Sequence, residues 1–346
     1  MGAMKATAEL KAPFPYFGGK RRVAAEVWAA LGDVDNYVEP FMGSLAVLLA
    51  RPWRHDRKAE TVNDADSYLS NFWRALSAAP EEVARWCDWP VNETDKLARE
   101  LWLVNSGRER ISRMEADPDF YDAKVAGWWV WGINQYIGGG FCYGRGPWVH
   151  SADGLSVVNR NDTGDAGQGV NRQRPHLGDA GQGVNRQQPS LGAEGMQTEK
   201  WNPDSLYAYF ASLSARLRRV RVCCGDWKRV ITDGALAFGD SVGVFLDPPY
   251  LGDVRTKDLY RVDDHSISDA VREWCIANGD NPRYRIVLAG YSAEHEAKMP
   301  RSWRMHVYKA NAAYQTATST GGNRDSRHGE RLWYSPHCLC PQPELF

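Results

Sequence analysis

The stretch Val244-Phe245-Leu246-Asp247-Pro248-Pro249-Tyr250 is the segment that most restricts the folds open to this chain. Apolar residues followed by an acid and two prolines predict a buried strand that ends at the acid, because proline has no N–H to donate to a sheet. A carboxylate at the carboxyl end of such a strand lies at the sheet edge where open α/β folds bind ligands. We therefore expect an α/β fold with a ligand site beside Asp247.

Short apolar strands alternate with helical patterns on both sides of the middle of the chain. Asp35 to Val38 predicts a strand and Gly43-Ser44 open an apolar helix, while Glu60 to Val62 predicts a strand before a helix over Ser67 to Leu76. This alternation favours a mostly parallel, twisted sheet covered by helices on both faces. The same patterns predict a helix from Pro203 and strands at Arg221 to Cys224, Val242 to Leu246 and Arg285 to Ala289.

Composition excludes a chain that is disordered, collagenous or embedded in a membrane as a whole. Of the 346 residues, 43% are hydrophobic and 25% are charged, as in soluble globular domains. No apolar run approaches the roughly 18 residues of a membrane span, and the first residues lack a secretory apolar core, so we expect a cytoplasmic protein. Seven cysteines without an export signal predict reduced thiols, and the absence of paired ligands at zinc spacing predicts no metal.

The charge balance does not single out a partner. Forty-two basic and 43 acidic residues give a formal net charge of −1, so there is no overall attraction to nucleic acid. Basic clusters around Arg216 to Arg221 and Arg51 to Lys58 are, taken alone, more typical of a solvated face than of phosphate contacts. The 15 tryptophans and 15 tyrosines could serve a core or stack on bases, and composition does not decide between these uses.

A tandem repeat lies in the middle of the chain. Residues 164–177, GDAGQGVNRQRPHL, recur as residues 178–191, GDAGQGVNRQQPSL. A segment this rich in glycine cannot bury a core alone, and it predicts exposed loops or hairpins. One interpretation is a duplicated flexible linker. The alternative is an arm that contacts DNA through side chains suited to phosphates and base edges, namely Asn171, Arg172, Asn185 and Arg186.

The Asp-Pro-Pro-Tyr segment suits a planar ligand that carries an amino group. Asp247 and the carbonyl of Pro248 can accept the two N–H bonds of an exocyclic amine, while Pro249 keeps the backbone rigid and Tyr250 stacks on the ring. Holding both hydrogens frees the lone pair of a nitrogen that is otherwise a poor nucleophile. An ordinary turn after a strand is the simpler alternative, and the apolar strand before the acid with the tyrosine after it favours function.

Five motifs together resemble one known family, the Dam-type or D12 class of DNA adenine-N6 methyltransferases, which use S-adenosylmethionine. Together they are spread over nearly the whole chain apart from residues from about 90 to 200. In the order of the family they are Pro15-Tyr16-Phe17-Gly18-Gly19-Lys20, Tyr37-Val38-Glu39-Pro40-Phe41-Met42-Gly43-Ser44, Asn63-Asp64, Gly225-Asp226-Trp227 and Asp247-Pro248-Pro249-Tyr250.

The resemblance implies a Rossmann-like methyltransferase fold with an inserted target-recognition region. The catalytic domain would comprise residues 1–66 and 201–346, and the helical and Gly-rich insertion would comprise residues 67–200. That insertion does not match the recognition helix and hairpin of the best-known members. Its partner would be double-stranded DNA; the sequence leaves the oligomeric state open.

The resemblance also implies roles for individual residues. Asp64 would accept both ribose hydroxyls of the donor, Asp226 and Trp227 would hold its adenine, and Asp247 would be shared between the donor and the target base. Leu45 is a departure, because the family often has a second glycine there. The remaining residues that the motifs assign to the donor are Tyr16, Gly18, Gly19, Lys20, Glu39, Phe41, Gly43 and Ser44.

The reaction implied is methyl transfer to N6 of an adenine rotated out of the duplex, because the paired amino group is otherwise unreachable. The donor supplies the electrophile, so the reaction requires no metal. The residues alone leave four alternatives open: methylation of RNA adenine, methylation of a protein amide, methylation of cytosine N4 in DNA, and a DNA-binding relative that has lost turnover.

Overall fold

The computed structural model describes residues 10–16, 19–53, 57–117, 119–136, 141–142, 148–151, 154–157, 203–249, 264–308 and 330–339. Three of the sequence predictions lie outside these residues. They concern Gly18, Tyr250 and the tandem repeat with Asn171, Arg172, Asn185 and Arg186.

A seven-stranded sheet forms the centre of the described structure, and two further strands pair as an antiparallel hairpin. In the sheet the order is β5-β2-β1-β6-β7-β9-β8; neighbours from β5 to β7 are parallel, and β9 is antiparallel to both β7 and β8. In chain order the strands are β1 Asn36–Glu39, β2 Ala59–Asp64, β3 Trp148–Ser151, β4 Gly154–Val157, β5 Val220–Cys224, β6 Val242–Leu246, β7 Tyr284–Tyr291, β8 Arg304–Val307 and β9 Glu330–Tyr334.

The direction of winding reverses between β1 and β6. From β1 the chain passes to β2 and β5 on one side, and it then returns to β6 and β7 on the other. In open α/β sheets, ligands bind outside the carboxyl ends of the strands at such a switch point. The mixed α/β architecture and the largely parallel sheet confirm the predicted Rossmann-like fold.

Helices cover both faces of the sheet. Residues Trp28, Tyr37, Phe72 and Phe245 belong to the core of one face, and Val271 belongs to the core of the other. The helices are α1 Ala24–Leu31, α2 Ala46–Leu49, α3 Ser67–Ala78, α4 Pro80–Cys87, α5 Glu93–Trp102, α6 Arg108–Ile111, α7 Ala123–Ile133, α8 Pro203–Leu217, α9 Asp264–Asn278 and α10 Ser292–His295, with short 3-10 turns at Lys20–Val23, Ser112–Glu115 and Trp227–Val230 and a π-helical turn at Leu103–Gly107.

The strand predictions agree closely with these elements. The strand predicted at Val242 to Leu246 has those bounds, and the strand predicted at Arg285 to Ala289 extends to Tyr284–Tyr291. The helix predicted after Gly43-Ser44 is only the single turn Ala46–Leu49. The apolar patterns identified these elements because β6 is buried along its whole length.

The aromatic helix α7 begins later than its sequence suggests. Asp117-Pro118 resembles a cap and helix start, but the helix begins at Ala123 and the Asp122 carboxylate accepts the N–H of Val125 at 2.9 Å. Asp117 instead accepts the N–H of Asp119 at 3.1 Å. Two acids five residues apart can each cap a turn, and the packing of α7 against α3 and α4 selects the second.

Several tryptophans and arginines of the basic clusters lie in the interior of the fold, a use that composition alone could not establish. Five indoles are almost completely buried: Trp28, Trp73, Trp129, Trp131 and Trp333. The guanidinium of Arg99, itself buried, lies 4.3 to 5.0 Å from three indole ring centres. Arg216 and Arg51 both bind the buried Glu60 carboxylate, at 2.7 and 3.1 Å. These basic side chains therefore stabilise the fold.

No helix in the described part of the chain is long and apolar enough to cross a membrane.

Candidate functional site

Three acids lie at the carboxyl ends of three adjacent strands. Glu39 ends β1, Asp64 ends β2 and Asp247 follows β6 directly. The ammonium of Lys20 lies 3.0 Å from an Asp247 oxygen, and their side chains are only 6% and 19% exposed. The structure thus places Lys20 on the Asp247 carboxylate, at the switch point of the sheet.

Glu39 is the most deeply buried of these acids. It is 2% exposed, and the Tyr37 hydroxyl donates to its Oε2 at 2.9 Å. Burial raises its pKa to about 8, and the negative charges of Asp247 and Asp64 act in the same direction. A proton or a nearby cation is therefore needed to stabilise this carboxyl group near neutral pH.

We expect the free energy of unfolding to fall as pH rises from about 4.5 to about 8. The folded protein keeps the Glu39 proton up to a pKa of about 8, whereas the unfolded chain releases it near the ordinary pKa of 4.5, so the folded state binds more protons in between. Glu39→Gln should remove roughly half of this slope, on the order of 3 kcal/mol between about pH 5 and about pH 8, because Asp64 contributes a comparable part. Urea denaturation at several pH values measures it.

Asp64 explains why some slope should remain in that variant. Burial, followed by the charge of Asp66, raises the pKa of Asp64 to about 7, so its contribution has the same sign and ends about one pH unit lower. A pH dependence that is identical in wild type and Glu39→Gln would contradict the assignment to Glu39.

The Asp64 carboxylate connects the ends of two strands. Its Oδ2 accepts the N–H of Gly43 at 3.1 Å, and its Oδ1 accepts the N–H of Asp66 at 2.9 Å. An ionised carboxylate has about four acceptor sites, so both oxygens retain capacity for hydroxyl donors. Backbone N–H groups thus hold the Asp64 carboxylate in place at the end of β2.

The loop after β1 lies against the N-terminal motif. Gly43 has φ +45°, and a Cβ there would approach Cε1 of Tyr16 to 2.8 Å, so both the backbone and the space require glycine. A Cβ on Gly19 would lie 3.5 Å from Oγ of Ser44. The indole of Trp73 donates to the Gly43 carbonyl at 3.2 Å. The structure therefore brings Tyr16, Gly19, Gly43 and Ser44 together.

The backbone of Leu45, the residue after Ser44, has a conformation that suits glycine. Its φ of 55° and ψ of 25° are left-handed, which is rare for leucine, and it forms the cap of α2. Its side chain is completely buried in the core of that face. Leu45 thus keeps a backbone conformation that glycine adopts more easily. Its side chain adds core packing that glycine could not provide.

Leu45→Ala should destabilise the protein by about 2 to 4 kcal/mol, because a buried side chain is lost while the left-handed backbone remains. Leu45→Gly should lose the same packing but relieve the strain, which makes it more stable than Leu45→Ala by about 0.5 to 1 kcal/mol. Urea denaturation at one pH compares the three proteins. If alanine were better tolerated than glycine, backbone strain at Leu45 would be refuted.

Asn63 is a site residue that the sequence reasoning placed in a motif without giving it a role. Its Nδ2 donates to the carbonyls of Pro40, at 3.1 Å, and Gly225, at 2.9 Å. It therefore connects the loops that follow β1 and β5 across the end of β2. Its Oδ1 is buried without a hydrogen-bond partner among the described residues. In the sequence, the position of Asn63 directly before Asp64 is the feature that could have indicated this role.

Two aromatic rings, one after β1 and one after β5, pack against each other. Trp227 is buried, and its ring stacks on that of Phe41 with the centres 6.0 Å apart. A planar ligand between two rings needs about 7 Å, so none fits between these two. Trp227 also lines a cleft of about 500 Å³ shared with Trp274 of α9. Asp226 is exposed, and its carboxylate accepts the N–H of Lys228 at 2.8 Å.

The Asp-Pro-Pro segment leaves the sheet between β1 and β7. Pro248 is buried and Pro249 is half-buried, which fixes the backbone after Asp247. Among the residues with described positions, no group of three or more His, Cys, Asp or Glu side chains is placed to hold a metal ion.

Comparison with known proteins identifies the N-terminal part of this arrangement. Residues 16–101 match the family model of the D12 class N6 adenine-specific DNA methyltransferases. None of the curated proteins compared with the chain matches it. The matched range contains Lys20, Glu39 and Asp64, and the sheet brings Asp247 to them from outside that range. The N-terminal part of the chain is thus similar to the D12 class of N6 adenine-specific DNA methyltransferases, and Asp247 lies outside the matched range.

Proposed function

We propose that this protein is a DNA adenine methyltransferase of the D12 class, which uses S-adenosylmethionine and acts on an adenine rotated out of double-stranded DNA. The observation that carries the proposal is the ion pair between Lys20 and Asp247, because it joins the matched N-terminal motif to the Asp-Pro-Pro segment at the switch point. In a Rossmann-like sheet that is the position of the ligand site.

The residues around Gly43 fit such a donor. Glu39 and Asp64 are buried acids that a cation would stabilise, and the donor carries positive charge on its sulfur and its amino group. Asp64 retains acceptor sites for ribose hydroxyls, and the Gly43-Ser44 turn offers backbone N–H groups to a carboxylate. When bound, the donor supplies an electrophilic methyl group. The other proposed donor contacts are Tyr16, Gly18, Gly19, Lys20, Phe41, Asp226 and Trp227.

Asp247 and Pro248 are the proposed partners of the target amino group. The Asp247 carboxylate accepts one N–H of the adenine amine and the Pro248 carbonyl accepts the other, which directs the nitrogen lone pair toward the methyl group. Both acceptors stabilise the positive charge that develops on that nitrogen. Pro249 keeps this backbone rigid, and Tyr250 stacks on the base.

Duplex DNA is the proposed substrate, and residues 67–200 are the proposed recognition region. Extruding the base costs a few kcal/mol, which stacking and hydrogen bonds in the pocket offset. The described β3–β4 hairpin lies in this region, and the tandem repeat would add phosphate and base contacts through Asn171, Arg172, Asn185 and Arg186. The proposed location is the cytoplasm, with access to DNA.

Transfer of labelled methyl groups followed by mass spectrometry of the nucleosides tests the proposal. Purified protein, S-adenosylmethionine and duplex DNA should yield N6-methyldeoxyadenosine, and matched RNA should yield no methylated nucleoside. Detection of N4-methyldeoxycytidine as the product would overturn the assignment of the target base. Binding of DNA without methyl transfer would favour a relative that has lost turnover.

A further inference from the structure

The carboxyl end of β7 lies beside the Asp-Pro-Pro segment. β6 and β7 are parallel, with Leu246 in register with Leu288. Continuing this register places Asp247 level with Ala289, and Tyr291, the last residue of β7, lies two residues further along. β7 therefore extends past the end of β6, next to the position of the catalytic acid.

Asp247 and Tyr291 belong to the same face of the sheet. Phe245 and Ala289 pack in the core cluster that also contains Trp28 of α1. Each of the two site residues follows one of these by two positions, and side chains two residues apart in a strand share a face. Lys20, which precedes α1, reaches Asp247 on this face. Tyr291 is thus on the same face of the sheet as Asp247 and Lys20.

Packing on the opposite face fixes the end of β7. The ring of His295 is completely buried, lies edge to face with Trp333 at 5.1 Å between ring centres, and occupies the space where a Cβ of Gly290 would be. Burial lowers the pKa of His295 to about 4, so it packs as a neutral ring. The strand end is therefore rigid, and Tyr291 remains half-buried on the face of Asp247.

The neighbouring strand supports the same residue. Glu330 of β9 lies directly opposite Tyr291 in the antiparallel pair, and it is buried. Cross-strand neighbours of this kind have Cβ atoms about 5 Å apart and restrict each other's side chains. A half-buried tyrosine held between a rigid strand and a buried neighbour presents an ordered aromatic surface.

We propose that Tyr291 is a further substrate-contacting residue, whose ring packs against the extruded adenine beside Asp247. The inference rests on the proposed function, since it requires an extruded base. An extruded base loses stacking on both of its faces, and the pocket must replace it with aromatic or apolar side chains. Tyr250 supplies one proposed surface, and Tyr291 supplies a second from an adjacent strand. The contact uses the ring and not the hydroxyl group.

Single-turnover methylation at saturating donor tests this role. Tyr291→Ala should methylate a duplex about 10-fold more slowly than wild type, and Tyr291→Phe should stay within about 2-fold, because a base–aromatic contact is lost in the first and kept in the second. Phe238→Ala, at an aromatic residue that is 52% exposed, is the matched control and should be unaffected. Donor affinity, measured by calorimetry, should be unchanged in all three variants.

A second substrate separates base contact from a structural role. Placing an abasic site opposite the target adenine removes the pairing that opposes extrusion, so the penalty of Tyr291→Ala should shrink to about 3-fold or less. Equal penalties on both duplexes, or full activity of Tyr291→Ala, would overturn the proposed contact. Each variant is compared with wild type, so a wild type that methylates no adenine would overturn the proposed function and this inference together.

Discussion

Asp247→Ala is expected to lower the methylation rate at least about 10³-fold, equivalent to about 4 kcal/mol of transition-state stabilisation. The substitution removes the carboxylate proposed to accept a hydrogen of the target amine and to balance the charge developing on its nitrogen. It also leaves the buried ammonium of Lys20 without the 3.0 Å contact to Asp247. The rate is measured with saturating donor and DNA.

Asp247→Asn separates chemistry from stability. The amide keeps the size of the side chain and one acceptor, so activity should fall by about 10²-fold with a smaller loss of thermal stability than alanine causes. Asp233→Ala, at an exposed acid ahead of β6, serves as the control and should retain full activity. Methylation by Asp247→Ala within 10-fold of wild type would exclude Asp247 from the reaction.

Lys20→Met is expected to lower the turnover rate by about 10²-fold, because the Asp247 carboxylate loses the cation that fixes its position. Methionine is close to lysine in length and fills the buried space without its charge. The loss should appear in the rate at saturating donor and DNA, since Asp247, the group displaced, is the proposed partner of the reacting amine.

Arg22→Met provides the matched control on the same short helical turn. Arg22 is exposed, whereas Lys20 is buried. The same change in charge should therefore leave turnover within about 2-fold of wild type, because an exposed charge is screened by solvent. If Lys20→Met weakened donor affinity and preserved turnover, Lys20 would act only as a donor contact, and its role in positioning Asp247 would be refuted.

The ends of the central strands could be predicted because they depend on local sequence. An apolar run such as Val242 to Leu246 must be buried, and the prolines after Asp247 must end it wherever the strand lies in the sheet. The same reasoning located Glu39 and Asp64 at strand ends. It failed at α7, where Asp117 and Asp122 are both suitable caps and only the packing of the helix distinguishes them.

Contacts between distant segments could not be predicted in this way. The bonds of Asn63 to Pro40 and Gly225 join three strand ends, and one of its partners lies far along the chain. The left-handed backbone of Leu45 contradicts the preference of leucine and persists because the core holds its side chain. Neither feature has a local signature.

What the sequence determined by itself was the five parallel strands of the sheet, the acids at the ends of three of them and the family these motifs resemble. Burial and backbone chemistry act within a few residues, so such features can be recognised along the chain. The tertiary structure alone decided that Lys20 meets Asp247, more than 200 positions away, and that Tyr291 shares its face of the sheet. Strand order and register set these distances, and both arise from the packing of the whole sheet.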